Sequence, residues 1–188
     1  MKRIIIYFLL LYAGNAIAQY HSSINLGVGK TTSEYRFFKY YIGDISFGSN
    51  YDHEIWKFLY ANVEYNYGHL SNTYSYKANF NNISAGIQFN FLQKKSTHIN
   101  YYFGVGYEWL QLKNEQDYNV SLQGITYINS LNISYIINDK FDIYVLYKIQ
   151  QSDMKKNDDF SKVYYFHRIR FGGFNIGLRY KFSQKDKK

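Results

Sequence analysis

Residues 83–91 read Ile-Ser-Ala-Gly-Ile-Gln-Phe-Asn-Phe, and residues 101–109 read Tyr-Tyr-Phe-Gly-Val-Gly-Tyr-Glu-Trp. In the first run Ile83, Ala85, Ile87, Phe89 and Phe91 alternate with Ser84, Gly86, Gln88 and Asn90. In the second, Tyr101, Phe103, Val105, Tyr107 and Trp109 alternate with Tyr102, Gly104, Gly106 and Glu108. Strict period two sends the two sets to opposite faces of a β-strand, one greasy and one wet. The polar segment Gln93–Thr97 between them is short enough to join them as a hairpin.

The same period extends in both directions. Leu59–Gly68, Ser130–Ile137, Phe141–Gln150 and Phe174–Phe182 repeat it clearly, and Ile24–Val28 and Asp44–Gly48 more weakly. About eight strands result, of roughly nine to thirteen residues, long enough to cross a bilayer at a tilt. Connections alternate in length. Thr32–Tyr40, His69–Asn79, Lys113–Asn119 and Ser152–Lys162 are long and polar, whereas Tyr51–Glu54, Gln93–Thr97 and Asn138–Lys140 are short. That rhythm predicts a barrel with surface loops on one rim and tight turns, with both termini, on the other.

Composition agrees. The 188 residues include 23 Tyr, 15 Phe and 2 Trp but no Pro and no Cys. A chain without Pro spares no backbone donor from its strand ladders. Absence of Cys excludes a disulfide scaffold, a thiolate metal site and a cysteine nucleophile. The mean hydropathy of −0.42 suggests a soluble chain, yet alternation averages each greasy face against a wet one. Past the first residues no stretch approaches the roughly 18 apolar residues of a spanning helix. At the start, Lys2 and Arg3, the apolar run Ile4–Tyr12 and Ala16-Ile17-Ala18 predict a cleavable export signal over 1–18. The barrel is assigned to 19–182 and a basic tail to 183–188.

An open sheet in lipid would leave unpaired backbone edges, each group costing several kcal/mol, so the strands must close. A soluble lipocalin-type barrel carries the same alternation turned inside out. The membrane reading rests on aromatics at the ends of the apolar face, namely Tyr65, Tyr67, Phe89, Phe91, Trp109, Tyr180 and Phe182, which suit interfacial girdles. It rests also on a second face of Gly, Asn, Ser, Gln and isolated charges, too polar for a dry core. The final strand, Gly177-Leu178-Arg179-Tyr180-Lys181-Phe182, ends on an outward aromatic. With these features the chain resembles the small OmpA/OmpX-type outer-membrane β-barrel family. The resemblance implies an all-β, up-and-down transmembrane barrel of about eight strands in the outer membrane of a Gram-negative bacterium. It also implies that the barrel-assembly machinery reads residues 177–182 during insertion.

An eight-stranded barrel is only wide enough for its own side chains. The charges assigned to its inner face are Asp44, Glu64, Glu108, Asp142, Lys148, Arg179 and Lys181, joined by Arg168 or Arg170. Buried charges need partners. Glu64 and Glu108 are therefore expected to share Lys148, Arg170 and Arg179 in an ionic network that plugs the lumen. On the outer rim Arg36, Lys39, Lys162, His167 and Arg168, set among Tyr and Phe, are candidates for lipopolysaccharide phosphates. Interleaved bases and rings also suit single-stranded nucleic acid, but an exported chain does not meet that ligand.

The expected function is non-enzymatic: envelope integrity, or surface interaction through the loops. Two alternatives stand beside it. One is a narrow pore. The other is a lipid A-modifying barrel, because His69-Leu70-Ser71-Asn72 resembles the His-x-Ser-Asn motif of the lipid A deacylases. That resemblance implies His69 as base and Ser71 as nucleophile. The acid that the family carries a little over ten residues later is replaced here by Asn82, Ile83 and Ser84, and the simpler reading of His69–Asn72 is an exposed loop. The five His residues lack metal-ligand spacing, and no cofactor is expected.

Overall fold

The structure, a computed structural model, describes residues 22–33, 41–56, 58–72, 77–93, 96–113, 119–156 and 168–182. These form β1 (Ser22–Ser33), β2 (Tyr41–Trp56), β3 (Leu59–Asn72), β4 (Lys77–Gln93), β5 (Thr97–Lys113), β6 (Asn119–Ile136), β7 (Phe141–Lys156) and β8 (Ile169–Phe182). Each strand pairs antiparallel with its sequence neighbour, and β8 returns to β1 from Ser22↔Phe182 to Ser33↔Phe171. The barrel is closed and no strand edge is left open. The predicted signal 1–18 and tail 183–188 lie outside the described residues.

The greasy face points outward. Val63, Ile83, Val105, Val145 and Ile176 are exposed on the barrel's surface, while Glu64, Ser84, Glu108, Lys148 and Arg179 are buried inside. Along β5 the outward apolar residues run from Ile99 to Trp109. With a rise of about 3.3 Å per residue and a tilt of about 40°, that run is about 25 Å tall, the height of an outer-membrane apolar band. The barrel is therefore built to span a bilayer, not to hold a dry core in water.

Several boundaries differ from those read in the sequence. The predicted turn Tyr51–Glu54 lies within β2, which runs on to Trp56, and the turn residue described is Phe58, just before β3. β6 begins at Asn119 rather than Ser130, and β8 at Ile169 rather than Phe174. His69–Asn79 is mostly strand, with β3 and β4 paired out to Ser71↔Lys77. One cause underlies all the differences at the loop rim. Above the girdle the alternation persists but its polarity inverts: Leu70, Phe80, Leu110, Leu122, Met154, Ile169 and Phe171 point in and are buried. Their strand neighbours His69, Asn79, Gln111, Ser121, Gln123, Asp153 and Arg170 lie on the other face. Beyond the lipid the wall is a soluble-type barrel, greasy inside and wet outside.

Candidate functional site in the barrel interior and on its outer rim

Interior polar groups sit in two hydrogen-bonded layers. At the end carrying the termini, Asp52 accepts from Ser23 (3.2 Å) and Asn25 (2.5 Å) and from the Asn62 amide. Arg179 Nε donates to Asn25 Oδ1 at 2.7 Å, and its Nη1 lies 3.8 Å from Asp142 Oδ2. Lys181 Nζ completes the Asp142 pair at 2.7 Å. With Arg179 Nη1 also donating to Ser134 Oγ at 3.4 Å, this layer alone ties six strands together. Asp52 was missed in the sequence because it sits in the stretch read as a turn.

The second layer holds the buried ion pair Lys148–Glu64. Lys148 also donates to Asn66 Oδ1 at 2.5 Å. From there the bonds run on: Asn66 to Asn82 (2.9 Å), Asn82 to Gln150 (2.9 Å), and Gln150 to Glu108 Oε2 (2.5 Å). Ser152 adds a second donor to Glu108. Glu108 thus meets amide and hydroxyl donors rather than the cation expected for it, and its Oε1 has no partner. Arg179 serves Asp142 and Asn25 instead of Glu64 or Glu108.

Two predicted members of this network lie elsewhere. Asp44 is exposed beside His69 on the outer face, because a register shift between Gly43 and Ser46 breaks the alternation that would have turned it inward. Arg170 is exposed too, and its Nε donates to Gln151 at 3.0 Å. It shares the even parity of outward Phe174 and Ile176, so strand alternation carries it outside.

Above the second layer the lumen is apolar. Leu70, Ala78, Phe80, Leu110, Leu122, Met154, Ile169 and Phe171 form one cluster, with Phe80 and Phe171 stacked at 5.1 Å between centroids. Between these rings and Lys148, Gln150 and Asn66 lies a cavity of about 20 Å³, enough for about one water molecule.

On the outside, Phe89, Phe91, Tyr180 and Phe182 ring the terminus end, and Tyr65, Tyr67 and Trp109 the loop end. Tyr180 packs edge-on to Phe182 at 5.3 Å, and Tyr107 to Trp109 at 5.0 Å. His69 and Ser71 lie on this outer wall in β3, not in a loop. His69 Nδ1 is 2.5 Å from Asn79 Oδ1, and its Nε2 faces Asp44 Oδ2 at 3.7 Å. With Nδ1 donating to Asn79, Nε2 is the acceptor nitrogen and faces Asp44, and among the described residues no hydrogen bond joins His69 to Ser71. Of the residues assigned to lipopolysaccharide, Arg36, Lys39, Lys162 and His167 lie outside the described residues. Arg168 is exposed, with its Nε on Asp153 Oδ1 at 3.2 Å.

No protein-family model matches the chain, and no curated protein matches it. Solved structures do match in shape. Neisserial surface protein A superposes with a TM-score of 0.66 at 15% identity, covering 87% of this chain and 97% of that one. A major outer membrane protein from Thermus thermophilus gives 0.62 at 10% identity over 87% and 100%. Ail, the attachment invasion locus protein of Yersinia pestis, gives 0.59 at 15% over 86% and 98%. With eight antiparallel strands, a lipid-facing apolar band and these superpositions, the chain has the fold of the small outer-membrane β-barrels.

Proposed function

We propose that the protein is a non-enzymatic, integral barrel of a Gram-negative outer membrane, inserted by the barrel-assembly machinery and surrounded at its outer rim by lipopolysaccharide. Its lumen is closed, and its work is done at the loop end, in surface interaction or envelope integrity. The observation that supports this best is the filled interior. Two hydrogen-bonded polar layers and an apolar cap fill the interior between the strands, and the cavity between Lys148 and the Phe80 and Phe171 rings has room for about one water. A conducting path would need a continuous aqueous lumen. Ail, one of the similar barrels, is named for attachment and invasion, and a loop-end role here is parallel to that.

The test has two parts. Protein extracted with detergent from the outer-membrane fraction is run on gels with and without boiling, where a folded barrel migrates faster unboiled. The same material is placed in a planar bilayer, where no discrete conductance steps are expected. Regular single-channel steps would overturn the closed lumen, and recovery from the aqueous fraction would overturn the membrane assignment.

A further inference from the structure

The outer wall above the girdle is not evenly charged. On β7 and β8 the arginines already have partners within the protein: Arg168 meets Asp153 and Arg170 meets Gln151. On β4 and β5, Lys77 and Lys113 stand directly opposite each other at the top of the ladder. Both are exposed on the outward face, and among the described residues neither meets an acid. Directly opposed side chains start about 4.5–5.5 Å apart at Cβ, and like charges so placed repel. Nothing in the apolar packing demands two lysines there.

The rows below them descend in a graded order. Asn79, Gln111 and Ser121 form the next row, then Asn81, Trp109 and Gln123, and then the apolar Ile83, Tyr107 and Ile125. Tyr65 donates to Asn81 Oδ1 at 2.9 Å, and Asn79 Oδ1 is taken by His69. The NH2 groups of both amides remain as donors. Trp109, Gln111, Ser121 and Gln123, with Leu110 and Leu122, also line a cavity of about 60 Å³ between β5 and β6. At about 3.3 Å per residue and about 40° of tilt, the lysines stand about 10 Å above Trp109, beyond the hydrocarbon and level with a large headgroup.

We propose that this face of β4–β6 binds the headgroup of a phosphorylated glycolipid from the surrounding leaflet. Lys77 and Lys113 hold a phosphate between them, and Asn79, Gln111, Ser121 and Gln123 meet sugar hydroxyls above the Trp109 ring. A phosphate resolves the repulsion that stands between the two lysines among the described residues, and a ladder of amides and hydroxyls suits a saccharide better than a small phospholipid head. The inference rests on the outer-membrane reading and gives its lipid contact a location.

The test uses the detergent-solubilised barrel with Trp56→Phe, so that Trp109 alone reports. Purified lipopolysaccharide, its dephosphorylated form, phosphatidylglycerol and phosphatidylcholine are titrated in turn. Lipopolysaccharide should change Trp109 emission saturably, with at least about tenfold weaker responses for the other three, the scale of one lost charge-assisted contact. Lys77→Gln/Lys113→Gln should weaken lipopolysaccharide binding about tenfold or more, whereas Arg168→Gln/Arg170→Gln should stay within about twofold of the parent. Equal binding by the lysine variant, or by the dephosphorylated glycolipid, overturns the site. Equal binding by phosphatidylglycerol overturns the glycolipid in favour of any anionic lipid. Boiling-sensitive gel migration of each variant, from the membrane fraction, reports the outer-membrane reading separately, so the site can fail while that reading stands.

Discussion

Lys148→Met isolates the buried ion pair of the lumen. Lys148 and Glu64 side chains are only 11% and 6% exposed, and Asn66 is the lysine's other contact. Met keeps most of the chain's volume, so the cavity term is small and the loss is electrostatic. An uncompensated carboxylate inside a protein costs about 3–5 kcal/mol. With a urea dependence of about 2 kcal/mol per molar, the unfolding midpoint should fall by about 1.5–2.5 M. The assay is reversible urea unfolding of the barrel in lipid vesicles, read from Trp56 and Trp109 emission. Glu64→Gln/Lys148→Met is the control: with both charges gone, most of the loss should return, to within about 1–2 kcal/mol of the parent. A single variant within about 0.5 M of the parent would refute the reasoning, and so would a double variant as weak as the single one.

Three further outcomes are expected of the cap, the outer wall and the strand packing. Phe80→Ala/Phe171→Ala removes the stacked rings that cap the lumen and should cost about 3–5 kcal/mol or more, with small irregular conductance in planar bilayers where the parent is silent. Ser71→Ala should leave lipid A acylation in cells unchanged, as no hydrogen bond joins His69 to Ser71 among the described residues; a change in acyl number measured by mass spectrometry would restore the enzyme reading. Gly177→Val drives a side chain toward the Tyr144 ring and the Leu26 carbonyl. It should destabilise the barrel by about 1–3 kcal/mol in the same urea assay, while Tyr144→Ala in that background should recover part of the loss.

The membrane-spanning part of this fold was legible because lipid outside and polar filling inside give period two its full amplitude. Leu59–Gly68, Ile83–Phe91 and Phe141–Gln150 read as strands on that contrast alone. Legibility failed where the contrast shrinks or changes sign. Residues 119–129 have apolar Leu122 and Ile128 inside but apolar Ile125 and Tyr127 outside, so neither face stands out. Asp52 went unread because a polar run, Asn50 to Glu54, looks like a turn when it is a strand lined by amides. Asp44 was misplaced by a register shift that no local residue announces. Arg170 differs from these: its even parity with Phe174 and Ile176 places it outside, and only its neighbouring bases suggest a charged interior. In the interior, Glu64 and Lys148 were identifiable as inward, whereas the amide relay through Asn66, Asn82 and Gln150 was not. Pairings across the lumen join residues 42 to 84 positions apart, and such distances leave no periodic trace.

The sign change above Trp109 also has an energetic consequence. The strands continue past the lipid, where both faces of the wall would be wetted if the interior stayed polar. An aqueous funnel would then reach down to Lys148 and Glu64, and water beside a charge pair weakens its attraction severalfold. The inward Phe80, Phe171, Leu70 and Leu110 prevent this by keeping the loop end dry, and Phe80 and Phe171 line the same small cavity as Lys148. Cap and ion pair should therefore be coupled, not additive. With the rings removed, water screens and solvates Glu64, and Lys148→Met should cost less in the Phe80→Ala/Phe171→Ala background than in the parent, by about 1–3 kcal/mol. Vesicle unfolding of the four proteins in that cycle measures the difference directly. Equal costs in both backgrounds would mean that the apolar layer fills space above the pair without governing the water around it.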